Sequence, residues 1–180
     1  MTRPAPKAPM ASKLAISLAA MLLAAPVLAG EQFVDGTGFA VSGYDVVSYF
    51  DLAQVPVGQS QPAPLPGKSA ITADYNGATF AFSSEANRDR FLADPAKYAP
   101  QYDGHCAYGV SKGGKVPGNP TLWRIVDDKL YLNITPNVVT FWEADIPGNI
   151  DLAEGNWTAI EPAPASDSVI PKFTSSAPQK

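Results

Sequence analysis

The dipeptide Asn76-Gly77 is flanked by ITADY (71–75) and ATFAF (78–82). Both loop residues tolerate positive φ, so two alternating runs joined by this pair form the strongest short-range signal for an antiparallel hairpin. Strand direction and register are thereby fixed, and Phe80 and Phe82 fall on one face that must be covered. A lone two-stranded hairpin is at best marginally stable, so the cover has to come from elsewhere in the chain. It follows at once. Ser83 or Ser84 offers an N-cap, Glu85 sits in the first helical turn, and Phe91 with Leu92 supplies an apolar side. Asp94-Pro95 ends this helix, because proline disfavours helical geometry in the residue before it.

A second hairpin is predicted where LWRIV (122–126) and KLYLNI (129–134) flank Asp127-Asp128. Thr135-Pro136 then places a cap before a proline at the first helical position, and Val138, Val139, Phe141 and Trp142 recur at helical spacing until Pro147. A short helical segment to Trp157 is expected after it. The fold class is therefore α+β: a small single domain of antiparallel hairpins packed by short helices. Residues 54–68 and 161–180 each carry four prolines and little that could anchor a core. They are read as a surface loop and a flexible, disordered tail around a packed domain at 30–160. No internal repeat is legible.

Residues 1–29 contain Arg3, Lys7 and Lys13, no acidic residue, an apolar run from Leu14 to Leu28, and the small-residue ending Val27-Leu28-Ala29. This is the pattern of a secretory signal peptide cleaved after Ala29, which makes the expected location periplasmic or secreted. The apolar run falls short of the roughly 20 residues a bilayer crossing needs. No membrane span is expected in the mature protein, and Gly30 is not a lipid-accepting cysteine. The leader holds three of the 13 basic residues and none of the 17 acidic ones, so the remainder is more acidic than the formal −4 of the whole chain. Nucleic acid is excluded as a partner, since its phosphates call for clustered Lys or Arg. Nucleotide loops and the haem-attachment pattern are absent too.

The stretch YDGHCAYG (102–109) holds the chain's one histidine and one cysteine, His105 and Cys106. A single cysteine in an oxidising compartment is buried and inert, reactive, paired between chains, or metal-bound. Thiolate and imidazole together suit Cu(I) or Zn(II), and Gly104 and Gly109 permit the turn that would bring adjacent side chains to one ion. Two chains meeting across a two-fold axis would supply a fuller ligand set, which brings a homodimer into consideration. Against this stands a buried structural cysteine with an ordinary histidine beside it. A cysteine hydrolase is disfavoured, because the histidine is the immediate neighbour of the sulfur it would have to serve. In GYDVVSYF (43–50), Asp45 is either a turn cap or a carboxylate ligand. Trp123, Trp142 and Trp157 read as packing residues, with an aromatic ligand groove as the alternative.

The strings GYDVVSYF, YNGATFAFSSEANRDRFLADPAKYAPQY, GHCAYGV and WRIVDDKLYLN together resemble exported bacterial proteins of the YHS-domain family. The resemblance implies a small α+β module related to heavy-metal-associated domains, with Cys106 as its principal metal ligand. The expectation is a non-enzymatic periplasmic metal-handling module, with copper preferred over zinc and His105 and Asp45 as secondary ligands. Its partners would be the metal ion and a second copy or a periplasmic protein. The alternatives are a small-molecule or protein-binding module in which Cys106 is structural, and a thiol-redox protein.

Overall fold

The computed structural model describes residues 1–2, 30–165 and 175–180. Most of the expected leader lies outside the described residues. Strands β1 (Lys68–Tyr75) and β2 (Ala78–Phe82) pair antiparallel, with Tyr75 opposite Ala78 and Asn76 and Gly77 in the left-handed region at φ 43° and 74°. Helix α1 (Glu85–Ala93) starts where Asn87 N donates to Ser84 Oγ at 3.2 Å, so Ser84 is the cap. Phe91 places its ring 4.9 Å from Phe80 and 5.1 Å from Phe82, covering the face that the hairpin alternation predicts. Asp94-Pro95 ends α1 as expected, and the same aspartate caps a one-turn helix, α2 (Pro95–Tyr98).

Helix α3 (Ala107–Ser111), which the sequence reading lacks, precedes the second hairpin of β3 (Asn119–Val126) and β4 (Lys129–Asn133). Helix α4 (Pro136–Glu143) begins at the Thr135 cap. Pro147, expected to stop this helix, instead lies in the first turn of α5 (Ile146–Ile160), because Asp145 caps it by accepting from Gly148 N at 3.0 Å. The short segment expected here is the longest helix described. The architecture is α+β, with two two-stranded sheets. Strand β4 is buried on both sides: Leu130 and Leu132 join a core with Phe80, Phe82, Phe91, Tyr49 and Trp123, while Tyr131 points into a second core with Tyr102, Trp142 and Ala153. Alternation along a single strand thus welds the two cores.

The same succession of features occurs twice, which corrects the expectation of no internal repeat. A turn with two non-glycine residues and a glycine at positive φ comes first: Val41, Ser42 and Gly43 in one unit, Tyr102, Asp103 and Gly104 in the other. The next residue makes an isolated bridge to a proline, Tyr44 to Pro66 and His105 to Pro117. Gly67 N then bonds Gly43 O at 2.9 Å and Gly118 N bonds Gly104 O at 3.0 Å. Each hairpin has its bulge at the same place, between the pairs Lys68–Phe82 and Thr72–Ala81 in the first and Asn119–Asn133 and Trp123–Leu132 in the second. A Ser or Thr cap, a helix burying one aromatic residue (Phe91, Trp142) and an Asp-capped second helix complete each unit. Glycine is required at the matched positions: a Cβ on Gly67 would lie 2.6 Å from the backbone of Ala81, and one on Gly118 2.6 Å from Gly104 O. The repeat lives in the backbone, and few side-chain identities survive to advertise it.

Terminal segments close both units. Phe33 N bonds Asp103 O at 2.7 Å across the second unit's turn, and Ser175 Oγ bonds Ser42 O at 2.6 Å across the first. Part of the expected mobile tail, 166–174, lies outside the described residues, but its last six residues are docked, with Ala177 buried and Lys180 N bonded to Thr37 O at 2.9 Å. The proline-rich loop runs over the surface yet is held there: Trp123 Nε1 donates to Pro62 O at 2.9 Å, and Arg124, in a buried ion pair with Glu143, donates to Val55 O at 3.2 Å. Among the described residues no helix is long and apolar enough to cross a membrane.

Candidate functional site

Cys106 sits at the N-cap of α3 and is 1% exposed. Its sulfur accepts from Gly109 N at 3.4 Å and donates to Asn133 Oδ1 at 3.5 Å, while Tyr108 N donates to the same Asn133 oxygen at 3.1 Å. Burial pushes the thiol pKa up, the neighbouring backbone amides opposing it. A sealed thiol that keeps its proton is a poor nucleophile and a poor metal ligand, and it cannot reach a second chain without opening the fold.

Asp45 is 0% exposed and every direction around its carboxylate is used. Oδ1 accepts from Val47 N at 3.0 Å, and Oδ2 accepts from Ser83 N at 2.8 Å, Ser83 Oγ at 2.6 Å and Asn87 Nδ2 at 2.7 Å. This is the turn-cap role, extended to bolt the Ser48–Asp51 turn onto α1. The internal repeat explains Cys106 as well, for the two residues occupy equivalent places: Asp45 N bonds Leu65 O and Cys106 N bonds Val116 O, each at 2.9 Å. Each is a buried acceptor that closes the start of its unit. Cys106, His105 and Asp45 therefore do not form one ligand set. Among the described residues no three His, Cys, Asp or Glu side chains converge in a way that could hold a metal ion. The expected copper or zinc shell does not fit the arrangement of these donors.

His105 points the other way from Cys106, as adjacent residues in extended backbone do. Its Nδ1 donates to Tyr102 O at 2.8 Å, which leaves Nε2 as a lone-pair acceptor, and that atom is buried with no hydrogen-bond partner among the described residues. Burial lowers the imidazole pKa to about 4, so the ring is neutral at physiological pH. The ring lies between Phe33 and Trp157, with centroids 5.5 and 6.2 Å away. Over it opens a groove of about 740 Å³ walled by residues 30–34, the tip of the first hairpin at Gly77, Ala78 and Thr79, Lys115 and residues 161–165.

Around this groove cluster polar atoms that a folded protein ordinarily satisfies. Asp103 Oδ1 accepts from Gln32 Nε2 at 2.8 Å, but Asp103 Oδ2 and Gln32 Oε1 are buried and unpaired among the described residues; the Tyr102 hydroxyl, unpaired too, belongs to the second core. Burial, and then Glu161, raise the Asp103 pKa to about 7 against the opposing pull of Lys115 and Gln32. Tyr102 and Asp103 hold left-handed φ angles of 54° and 53°, a conformation that costs about 1 to 2 kcal/mol per non-glycine residue. The left-handed pair is shared with Val41 and Ser42 of the first unit, so it belongs to the repeated backbone plan, and the unpaired polar atoms are what sets this place apart. Of its residues the sequence itself points to His105, to Asp103 and Lys115 as charges near the cysteine, and to Trp157 as a packing or groove residue, whereas Gln32 and Glu161 arrive from distant segments with no local pattern to flag them.

Residues 61–102 match the family model described as the YHS domain. This stretch of the chain is similar to a YHS domain. The match takes in the first hairpin, α1 and α2, and stops at Tyr102, before His105 and Cys106. The second unit thus repeats the backbone plan of the YHS match outside its bounds. No curated protein and no solved structure matches the chain.

Proposed function

We propose that this protein is an exported, non-enzymatic binding module that takes a small molecule into the groove over His105, with Cys106 as a structural cap. The observation that carries this reading is the buried, unpaired Nε2 of a neutral His105, a residue that lines the groove together with Phe33. Such a site favours a flat ligand that offers one hydrogen-bond donor to the imidazole and stacks beside Phe33, a few polar contacts in an apolar recess being the usual economy of ligand pockets. Export is supported by the leader pattern in residues 1–29.

A second reading, copper handling, rests on the association of YHS domains with heavy-metal handling. What the geometry offers it is one unpaired but buried imidazole nitrogen and a protonated, sealed thiol.

One titration separates the two. Indole and phenol serve as probes for the groove, Cu(I) and Zn(II) under anaerobic conditions as probes for the metal, each against wild type, His105→Ala and Cys106→Ala. Backbone amide shifts centred on Phe33, Thr79 and His105, lost in His105→Ala and kept in Cys106→Ala, are the expected result. Cys106→Ala should lower stability by about 2 kcal/mol with no metal present, from the lost cap and the small cavity. One tight equivalent of Cu(I) that disappears in Cys106→Ala, with no probe shifts in the groove, would reverse the assignment.

A further inference from the structure

The segment beginning at Gly30 is fixed before it reaches the groove. Gln32 N donates to Asn76 O at 3.0 Å, Phe33 N donates to Asp103 O at 2.7 Å, and the Gln32 side chain holds Asp103 Oδ1. At the start of this segment Gly30 N donates to Glu161 Oε1. Gly30 is also packed so closely that a Cβ would come 2.3 Å from Asp103 Oδ2 and 2.7 Å from Glu161 Cγ. Asp103 is 8% exposed, and that same Oδ2 has no hydrogen-bond partner among the described residues. Lys115 directs its ammonium to the main-chain oxygen of Glu161 instead. Two carboxylates therefore crowd Gly30, and its peptide N–H, with a single donor and no charge, bonds Glu161 alone.

We propose that Asp103 and Glu161 form a receptor for the α-ammonium of Gly30, released when the leader is cut after Ala29, and that this ion pairing locks the wall of the groove in the mature protein. The inference rests on the export reading. Cleavage by a leader-cleaving endopeptidase adds water across the Ala29–Gly30 peptide bond: the C–N bond breaks, the hydroxyl goes to the carbonyl carbon of Ala29 to give a carboxylate, and the nitrogen leaves as an ammonium. Three N–H donors and a positive charge then stand where one donor stood. Charge-assisted bonds to carboxylates are about twice as strong as neutral ones, and the Asp103 oxygen gains the partner it lacks. Only glycine fits between the two acids without displacing one of them, so the residue that follows the cut is matched to its receptor.

The test uses the full chain, exported and processed by its host. The intact mass of the product reports where it begins, and competitive acylation at neutral pH, followed by peptide mass analysis, reports how reactive its α-amine is. The expected product begins at Gly30, and its α-amine labels at least tenfold more slowly than in the Asp103→Asn, Glu161→Gln double variant, while exposed Lys68 labels equally in both. Glu161→Gln alone, at the rim of the groove, serves if the double variant does not fold, and should label faster than wild type. A chain that begins at Gly30 but labels at one rate in wild type and variants overturns the receptor and leaves export standing. A product that begins elsewhere overturns both.

Discussion

At the scale of single residues, His105 and Cys106 show how neighbours in sequence part company in space. A β-like backbone sends one side chain to the core and the other to the groove, so a ligand pair that the string suggests becomes a cap and an acceptor. The histidine carries a pH consequence. Burial lowers its pKa to about 4 in the folded chain, while in the unfolded chain it titrates near 6.5. The folded state thus binds this proton less tightly, and the contribution is present above pH 6.5 and lost as pH falls through 4. At 1.36 kcal/mol per unit the swing is roughly 3 kcal/mol. Chemical denaturation at successive pH values should show wild type losing that much more stability than His105→Gln between pH 6.5 and 4. Parallel acid limbs in the two proteins would mean that the imidazole is solvated in the folded state.

At the scale of elements, the parts legible in the sequence are those that local chemistry dictates. Asn76-Gly77, the Ser84 and Thr135 caps and the buried pair Phe80 and Phe82 each need only a few adjacent residues to state their case, and each is found where expected, although Ala81 between the two rings is buried as well. Pro147 was misread because a proline either stops a helix or opens one, and the deciding feature is the Asp145 carboxylate on Gly148 N. Helix α3 was missed because its cap is a cysteine, outside the usual Ser, Thr, Asp and Asn. The repeat escaped notice because its two hairpin loops reach one geometry with different residues: Asn-Gly in the first, Asp-Asp in the second, the latter at φ 49° and 58°. Two left-handed aspartates in such a loop are strained where glycine is not. Asp128→Gly should therefore stabilise the protein by about 0.5 to 1 kcal/mol, read as a higher urea midpoint at unchanged slope, a gain that the looser unfolded chain of a glycine variant keeps from being larger. A lower midpoint would show that the Asp128 carboxylate makes compensating contacts.

At the scale of the whole molecule, a duplicated unit raises the question of whether each half unfolds on its own. Solenoid-like arrays often do, since each repeat touches its neighbour across a separable interface. Here the interface is a strand interior. Leu130 and Leu132 belong to the core of the first unit and Tyr131 to that of the second, so melting the second hairpin strips both cores at once. Across the same boundary, the N-terminal segment joins the first hairpin's turn at Asn76 to the second unit's turn at Asp103, and Tyr49 of the first unit donates to Pro120 O in β3 at 2.9 Å. Neither half keeps a closed apolar surface without the other. The protein should accordingly unfold in a single cooperative step, with a calorimetric enthalpy equal to the van't Hoff enthalpy and coincident far-UV and tryptophan fluorescence transitions. Trp123 reports on the first core, and Trp142 and Trp157 on the second, so separate transitions in Trp123→Phe and in the Trp142→Phe, Trp157→Phe double variant would show two domains that merely touch, and would remove the shared strand as the reason the two units hold together.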